Sequence, residues 1–352
     1  MFLSLSARFL VNLEAMNMIE SIGNITRHRR APIVFNENGG YTLKYVPVIS
    51  GENLAHAYQA WLAEIANEYG LNVCEKCSMG IFVKHSVKEQ FGNKSWEREL
   101  LELANKKKVS SKDAQELVHK AEKMIIKGCV VEDIGGFLFT DGIGGIPIKR
   151  TSKFQVGYMV PAMDDIKASA LEAQFHVRHV PGQKGEEAAQ AIYYVEAGSA
   201  IYVLQFNLFL KDIGYTSMLK IEEAVDKDER RRRVEVAIKA LAIMLESRLF
   251  GAKLTRFNPI MDLRSIVLAI SEPKPFTVSS GHRHNYLIET VERSEKFVSM
   301  LNKGTIKQEE NVKILFINNE TDIVTSPKIS DEVIEVKTIS EMFENVLDFI
   351  KI

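Results

Sequence analysis

The strongest constraint on the fold is the alternation of apolar and polar residues over positions 3–13. Odd positions in this stretch are apolar throughout, and even positions are polar except at Leu10. A period of two is typical of a β-strand that turns one face toward a core. The residues that follow are polar, and they end in the basic run Arg27-His28-Arg29-Arg30. The chain therefore opens with a strand whose polar face leads directly into a dense cluster of cations.

Periodicity along the rest of the chain predicts an α+β fold. The expected elements are strand, helix, strand, strand, helix and strand, over residues 3–13, 52–69, 171–179, 191–210, 228–248 and 260–270. This is the order of ferredoxin-like and RNA-recognition-motif domains, in which two helices cover one face of a four-stranded antiparallel sheet. We therefore expect a ferredoxin-like palm with large insertions, whose second sheet face is free to meet a ligand.

Length and charge narrow the class of protein. The 352 residues, 46% of them hydrophobic, suffice for two domains or for one domain with insertions. A formal net charge of −1 excludes a uniformly basic protein but permits a local basic patch. Three cysteines argue against a secreted disulfide scaffold, so we expect a cytoplasmic protein. No apolar run approaches the roughly 18 residues of a membrane span.

The predicted palm leaves long stretches of chain outside it. We expect one RNA-recognition-like domain over 1–352, with the palm built from 1–13, 51–70 and 168–270, insertions at 14–50 and 71–167, and a C-terminal extension at 271–352. Within the first insertion a hairpin is expected near residues 33–48. The last part of the chain is expected to hold a strand at 312–317 and a helix from about 340 to 351.

Two predicted strands carry polar faces that point toward the same side of the palm. The side chains expected to share this surface are Arg8, Asn12, Gln174, His176 and Arg178. A second basic cluster, Lys149-Arg150-Thr151-Ser152-Lys153, precedes the second of these strands. The aromatic signature of RNA-recognition modules is missing, so contacts to an RNA backbone are favoured over sequence-specific base stacking.

Several ordered blocks of sequence resemble a known family. They are SARFLVNLE at 6–14, ESIGN at 20–24, RHR at 27–29, YVPVISGE at 45–52, LAHAYQ at 54–59, DIGGF at 133–137, RTS at 150–152, GYM at 157–159 and LEAQFHVR at 171–178. Together they resemble the CRISPR-associated backbone subunit of type I-A Cascade, the archaeal DevR-type branch of the seventh Cas family. The resemblance extends from residue 6 to about 260, and little after Ser271 matches.

The resemblance implies both a fold and a role. The fold would be a modified RNA-recognition palm with a helical insertion and a thumb-like loop or hairpin. The role would be that of an RNA-binding scaffold: copies polymerise head to tail along the spacer of a CRISPR guide RNA, and the complex pairs that guide with target DNA for antiviral defence. Heterologous contacts of this kind do not close, so they build a helical filament. Other Cascade subunits would be further partners, with no cofactor and no membrane.

A scaffold for any spacer must hold phosphates and 2′-hydroxyls while ignoring base identity. Cationic and amide side chains near the two polar strands suit that task. The RNA-binding candidates are Arg8, Asn12, Asn17, Asn24, Arg27, His28, Arg29, Arg30, Lys149, Arg150, Lys153, Gln174, His176 and Arg178.

The main alternative is an RNA endonuclease that uses His28, His56 or His176 as general acid and base. In the target-cleaving relatives of the resembled family, an aspartate in the loop after the first strand acts with a divalent metal. The matching residues 16–30 contain Glu20 but no aspartate. This difference favours a protein that holds RNA without cutting it.

The cysteines leave a second alternative open. Cys74-x-x-Cys77, with His85 and the distant Cys129, contains half of a zinc-binding pattern. Because the second pair is missing, the pattern favours free thiols or a local turn, and the sequence predicts no metal site.

Overall fold

The protein is represented by a computed structural model that describes residues 1–105, 111–177, 192–303 and 311–350. Its strands are β1 (Phe2–Glu14), β2 (Met18–Ile22), β3 (Ile25–His28), β4 (Arg30–Glu37), β5 (Gly40–Pro47), β6 (Phe137–Ile143), β7 (Ile146–Arg150), β8 (Phe154–Val156), β9 (Val160–Pro161), β10 (Ala170–Val177), β11 (Ile192–Leu208), β12 (Ile260–Glu272), β13 (Asn311–Asn318) and β14 (Val333–Glu335). Its α-helices are α1 (Gly51–Glu68), α2 (Glu75–Ser78), α3 (Ser95–Ala104), α4 (Ser111–Gly128), α5 (Val130–Gly135), α6 (Lys227–Ser247), α7 (Leu254–Phe257), α8 (Tyr286–Leu301) and α9 (Ile339–Ile350). The predicted α+β class is confirmed.

Strand β1 lies at the centre of the main sheet. It pairs antiparallel with β11 on one side and with β12 on the other, so that Ala7 lies opposite both Leu204 and Ile266. The far edge of β11 pairs antiparallel with β10. Strands β13 and β14 extend the sheet beyond β12, and β3 and β2 extend it beside β11. In the described part of the chain the sheet therefore contains more strands than the predicted palm.

Helices α1 and α6 cover the apolar face of β1. Leu5 and Phe9 are fully buried there with Tyr58 of α1 and Leu241 of α6. The Tyr58 hydroxyl donates to the carbonyl of Ala237 at 2.9 Å, which fastens the two helices to each other. The alternation of residues 3–13 correctly predicted which side of β1 forms this core.

The polar face of β1 is not open, and the expectation of a free second sheet face is wrong around this strand. Ser4, Ser6 and Arg8 are at most 2% exposed. The hydroxyls of Ser4 and Ser6 accept hydrogen bonds from the backbone of Val278 and Gly281, at 3.2 and 2.9 Å. Helix α8 and the segment before it cover this face, where they form a second core with β12 and β13.

The stretches outside the predicted palm are largely ordered into hairpins and helices. Residues 14–50 form two hairpins, β2–β3 and β4–β5. Residues 71–167 contain α2 to α5 and the hairpin β6–β7. The C-terminal part adds β13 and β14 to the sheet, and α9 packs on α6. No helix in the described part of the chain combines the length and the apolar character that a bilayer crossing requires.

Candidate nucleic-acid interface

The structure divides the candidate RNA-binding residues by exposure. Exposed residues are Asn24, Arg27, Arg30 and Lys149, and half-buried residues are Asn12, Arg29, Gln174 and His176. Buried residues are Arg8, Asn17, His28, Arg150 and Lys153. Arg178 lies outside the described residues. The predicted set therefore does not form one continuous open surface.

Arg8 is a structural residue and lies beneath the surface. Its guanidinium contacts Glu320 at 2.6 Å, Asp165 at 2.7 Å and the carbonyl of Gly281 at 2.7 Å. Burial disfavours the charge, but hydrogen bonds to Glu320 and Asp165 outweigh it and raise the pKa of Arg8. The expectation that Arg8 faces a ligand is therefore wrong, because all of its strong partners come from within the chain.

His28 anchors the basic run, which we call the basic segment (residues 27–30). Its ring donates from Nδ1 to the carbonyl of Arg29 at 2.8 Å and pairs through Nε2 with Glu14 at 2.7 Å. The hydroxyl of Tyr202 donates to the same Glu14 carboxylate at 2.6 Å. With His28 and Glu14 both fully buried, this contact ties the segment to β1 and β11. His28 positions its neighbours and does not present its own ring to solvent.

Arg30 is exposed but already paired. Its guanidinium donates to Glu196 of β11 at 2.5 Å, and the second oxygen of Glu196 accepts the backbone N–H of His28 at 2.9 Å. Glu196 thus fixes the segment at two points and offsets part of its charge. Arg30 contributes less free positive charge than the sequence suggests.

Arg27 and Arg29 are the two cations of the segment that make no ion pair with any described residue. Arg27 is exposed, and Arg29 is half-buried, with a guanidinium Nε that is shielded from water and has no hydrogen-bond partner in the described part of the chain. The backbone of Arg29 is held by Asn17, whose carbonyl accepts its N–H at 2.8 Å. The Asn17 side chain accepts from the N–H of Ser50, the N-cap of α1, at 3.0 Å. A fixed backbone therefore presents two uncompensated guanidinium groups.

The second basic cluster is mostly internal. Arg150 is buried, and its guanidinium donates to the carboxylate of Asp133 and to the carbonyls of Tyr215 and Asp212. Burial, together with the charge of Arg150, lowers the pKa of Lys153. Lys149 is the member of this trio that is exposed. The prediction that the cluster forms an RNA-facing patch is wrong for Arg150, which ties β7 to α5.

Strand β10 places its polar side chains away from Arg27. Thr26, Val195 and Gln174 form one cross-strand row, so Arg27 projects from the opposite sheet face to Gln174. His176 stacks on Tyr193 with ring centroids 5.3 Å apart, and its Nε2 has no partner among the described residues. Gln174 and His176 therefore belong to a different surface from the basic segment.

Sequence reasoning missed a groove beside the start of α1. It is lined by residues that include Gly51, Gln59, Lys84, Ser152 and Gly157. A Cβ at Gly51 would lie 2.7 Å from the carbonyl oxygen of Val156, so only glycine allows β8 to pass this close to the helix. The amide oxygen of Gln59 is buried there without a partner in the described part of the chain. The YVPVISGE and GYM blocks can be recognised in the sequence, but the sequence does not show that they lie next to each other in the fold.

The three histidines of the alternative enzyme hypothesis occupy separate surroundings. His28 is fully buried against Glu14. His56 is exposed on α1, with its ring edge-on to Phe82. His176 stacks on an aromatic ring of the neighbouring strand. Among the described contacts, none of the three joins an accessible carboxylate in the pairing that a general acid–base site needs.

Comparison with known proteins identifies relatives over most of the chain. A family model described as "CRISPR-associated negative auto-regulator DevR/Csa2" matches residues 5–291. The chain is 40% identical over 321 residues to the CRISPR-associated aCascade subunit Cas7/Csa2 2 of Saccharolobus solfataricus, a match that covers 90% of this chain and 91% of that protein. It is 35% identical over 308 residues to the Cas7/Csa2 1 protein of the same organism, covering 86% and 89% of the two chains.

More distant matches are consistent with these. A Cas7/Cst2/DevR protein of Methanocaldococcus jannaschii is 25% identical over 316 residues, covering 86% of this chain and 90% of that protein. Among solved structures, a chain from a CRISPR RNA-guided surveillance complex in a pre-nicking state superposes with a TM-score of 0.51 at 10% identity. That match covers 99% of this chain and all of the other, and at this identity it shows a shared fold alone.

Proposed function

The chain belongs to the DevR/Csa2 family of CRISPR-associated proteins, and from this premise we propose that it is the guide-RNA-binding backbone subunit of a type I-A Cascade complex. It would polymerise head to tail along the spacer and hold the RNA backbone without reading its sequence. The other Cascade subunits, and target DNA paired with the guide, would complete the assembly. Its relative named as an aCascade subunit supports the role.

The fold supports the proposal through the arrangement of its central strands. The antiparallel order β12-β1-β11-β10, with α1 and α6 on one face, agrees with a modified RNA-recognition palm. The RNA track cannot run over β1, because Arg8 and its neighbours are buried. We therefore locate it beside β3 and β11, where the basic segment emerges.

The observation that carries the proposal is the geometry of the basic segment. His28 and Arg30 are used internally, and they leave Arg27 and Arg29 without ion-pair partners among the described residues. A guanidinium binds phosphate through paired N–H groups and makes no distinction between bases. Two such groups on a fixed backbone suit a scaffold that must accept any spacer sequence.

Self-assembly is supported by an exposed apolar surface on the β4–β5 hairpin, which we call the outer hairpin face. Val34, Leu43, Tyr45 and Tyr41 are between 53% and 84% exposed there, and the register places Val34 opposite Leu43. Apolar side chains grouped on one solvent-facing surface commonly mark a contact with another protein. In a head-to-tail filament the outer hairpin face would meet the next copy.

We propose a non-catalytic role. The segment after β1 contains no aspartate, and none of His28, His56 and His176 forms an accessible acid–base pair among the described contacts. The endonuclease alternative makes a distinct prediction, namely divalent-metal-dependent shortening of a bound RNA that is lost when the responsible histidine is replaced.

The test compares RNA binding by the wild-type chain and by a double variant, Arg27→Glu with Arg29→Glu. The wild type should copurify with RNA, bind spacer-length RNAs of unrelated sequence with similar affinity, and release them at high salt. Each phosphate contact should contribute about −0.7 to the slope of log affinity against log salt. The double variant should lose most of this affinity and salt dependence while keeping the wild-type melting temperature.

The matched control is Arg98→Glu, which reverses an exposed charge on α3, away from the segment. It should bind RNA as the wild type does. A wild-type chain that stays monomeric and ignores RNA at low salt would refute the proposal. RNA shortening that needs metal and His176 would favour the endonuclease instead.

A further inference from the structure

The three cysteines of the chain converge on one buried point. Cys74 is the N-cap of the short helix α2, and Cys77 lies within that helix. Cys129 immediately precedes α5, which carries Glu132. The three sulfurs and a Glu132 carboxylate oxygen all lie within 4.8 Å of one another. All four side chains are at most 1% exposed. The fold thus supplies the two ligands that the Cys-x-x-Cys pattern lacked in the sequence.

Glu132 gives an independent reason to expect a ligand at this point. One of its oxygens accepts from Nδ1 of His85 at 2.5 Å, but the other is buried with no hydrogen-bond partner in the described part of the chain. A carboxylate oxygen that is removed from water without a partner is costly, and native proteins rarely leave one. A bound cation would satisfy it.

Ordinary packing accounts for the cysteines but not for the carboxylate. Free cysteine is a small hydrophobe that suits a core, and three buried thiols alone would need no ligand. A disulfide between two of the three would leave one thiol and the unpaired Glu132 oxygen unchanged. A divalent cation is the occupant that uses all four groups at once.

The donor set identifies the cation. Thiolate and carboxylate groups are both zinc ligands, and four of them close a tetrahedral site. Here Glu132 takes the place that histidine has in structural sites of three cysteines and one histidine, and two of the thiolates form a Cys-x-x-Cys pair. Zinc–sulfur bonds of about 2.3 Å place sulfurs roughly 3.8 Å apart in a tetrahedron. Ligand atoms that already lie within 4.8 Å of one another would have to approach by at most about 1 Å. His85 would act by orienting the ligand, because it bonds Glu132 on one side and Glu97 at 2.8 Å on the other.

We propose that Cys74, Cys77, Cys129 and Glu132 bind one Zn²⁺ ion in a structural site. The site joins α2 to α5, and both helices pack against α1 in the main core. Zinc therefore fastens the helical insertion to the palm. This site is separate from the basic segment, and its test does not depend on RNA binding.

The first measurement is the metal content of the full chain, purified from zinc-supplemented medium and dialysed against a weak chelator. One zinc per chain is expected, and Cys129→Ser and Cys77→Ser should each lose it. Ser78→Ala, on the same short helix, is the matched control and should retain zinc. A wild-type chain without stoichiometric zinc after reconstitution with the metal would overturn the proposal.

Two measurements on the wild type guard against variants that fail to fold. The three thiols should resist alkylation until a strong chelator removes the metal, and chelation should lower the melting temperature. Substitution by Co²⁺ should give thiolate-to-cobalt charge-transfer absorption, and Glu132→Gln should change the ligand-field bands while keeping that absorption. Thiols that react equally with and without chelator, or cobalt without charge transfer, would refute the site.

Discussion

At the residue scale, Arg8 is a cation that stabilises the fold, although the sequence predicted that it binds RNA. Its two carboxylate partners are 157 and 312 residues away along the chain. Replacing one member of a buried ion pair costs about 3–5 kcal/mol, because the partner charges stay buried and uncompensated. We expect Arg8→Met to lower the free energy of unfolding by that amount, measured by denaturant titration.

The comparison variant for Arg8 is Arg27→Met. It removes an exposed charge, so it should change stability by less than about 0.5 kcal/mol while weakening RNA binding. If Arg8→Met were instead as stable as the wild type and defective only in RNA binding, Arg8 would be an RNA contact and its assignment to the core would be wrong.

His282 gives a prediction for the acid range. Burial, followed by the charge of Arg8, lowers the pKa of its imidazole to about 4. The unfolded chain, with a histidine pKa near 6.5, binds a proton between about pH 6.5 and pH 4 that the folded chain does not. The free energy of unfolding should therefore fall as the pH drops through this window. His282 should contribute at most about 3 kcal/mol to this fall, because solvent screening reduces the effect of a group that is partly exposed.

The pH prediction is tested by the slope of unfolding free energy between about pH 7 and pH 4.5 in the wild type and in His282→Asn. The variant should lose stability less steeply on acidification. His56→Asn, which replaces an exposed histidine, is the control and should follow the wild type. Parallel curves for all three proteins would show that His282 protonates as easily in the folded state as in the unfolded one.

At the scale of elements, local periodicity predicted the main strands and helices of the palm, but it missed α8 and did not predict what covers the polar side of the sheet. The alternation in β1 specified which side meets α1 and α6, because that signal lies within the strand itself. The polar side is covered through contacts with Val278, Gly281 and Glu320. These residues are far from β1 in sequence, so no local pattern predicts the contacts. For the same reason the sequence found the basic segment but not the Glu196 contact that compensates Arg30.

At the start of α1, Ser50 both caps the helix and contacts a residue that holds the basic segment. Serine is among the residues favoured at the N-cap of a helix, and the hydroxyl of Ser50 accepts the N–H of Asn53 at 3.4 Å. The N–H of Ser50 donates to the side-chain oxygen of Asn17, and the main-chain carbonyl of Asn17 accepts the N–H of Arg29. Ser50→Ala should cost about 1 kcal/mol of stability, measured by thermal or denaturant unfolding.

RNA affinity decides whether the cap also supports the site. Because the backbone contacts through Asn17 remain in Ser50→Ala, RNA binding should be close to that of the wild type at temperatures where both are folded. Asn17→Ala keeps the main-chain carbonyl that accepts from Arg29 but removes the side-chain oxygen that accepts from Ser50. Residue 17 is then held less firmly, so RNA binding should weaken as well as stability. Equal RNA affinity in both variants would mean that the Asn17 side chain does not contribute to the position of Arg29.

At the scale of the whole molecule, the two faces of the β4–β5 hairpin have different roles. Phe35 and Val46 pack inward on Ile166 in a small core of their own, whereas the outer hairpin face is solvent-exposed. This division could not be read from the sequence, because both faces of the hairpin carry apolar residues. The outer hairpin face is the surface that the proposed contact between copies would use.

Charging the outer hairpin face should therefore block assembly without unfolding the monomer. We expect Tyr41→Asp with Leu43→Asp to keep the wild-type melting temperature, since both side chains are more than half exposed, and to bind a short RNA as one copy. On an RNA long enough for several copies, light scattering and electron microscopy should show isolated subunits where the wild type forms filaments. Ile221→Asp, at an apolar side chain that is 84% exposed and outside the hairpin, is the control and should assemble normally. Filaments of wild-type length from the double variant would place the contact between copies on another surface.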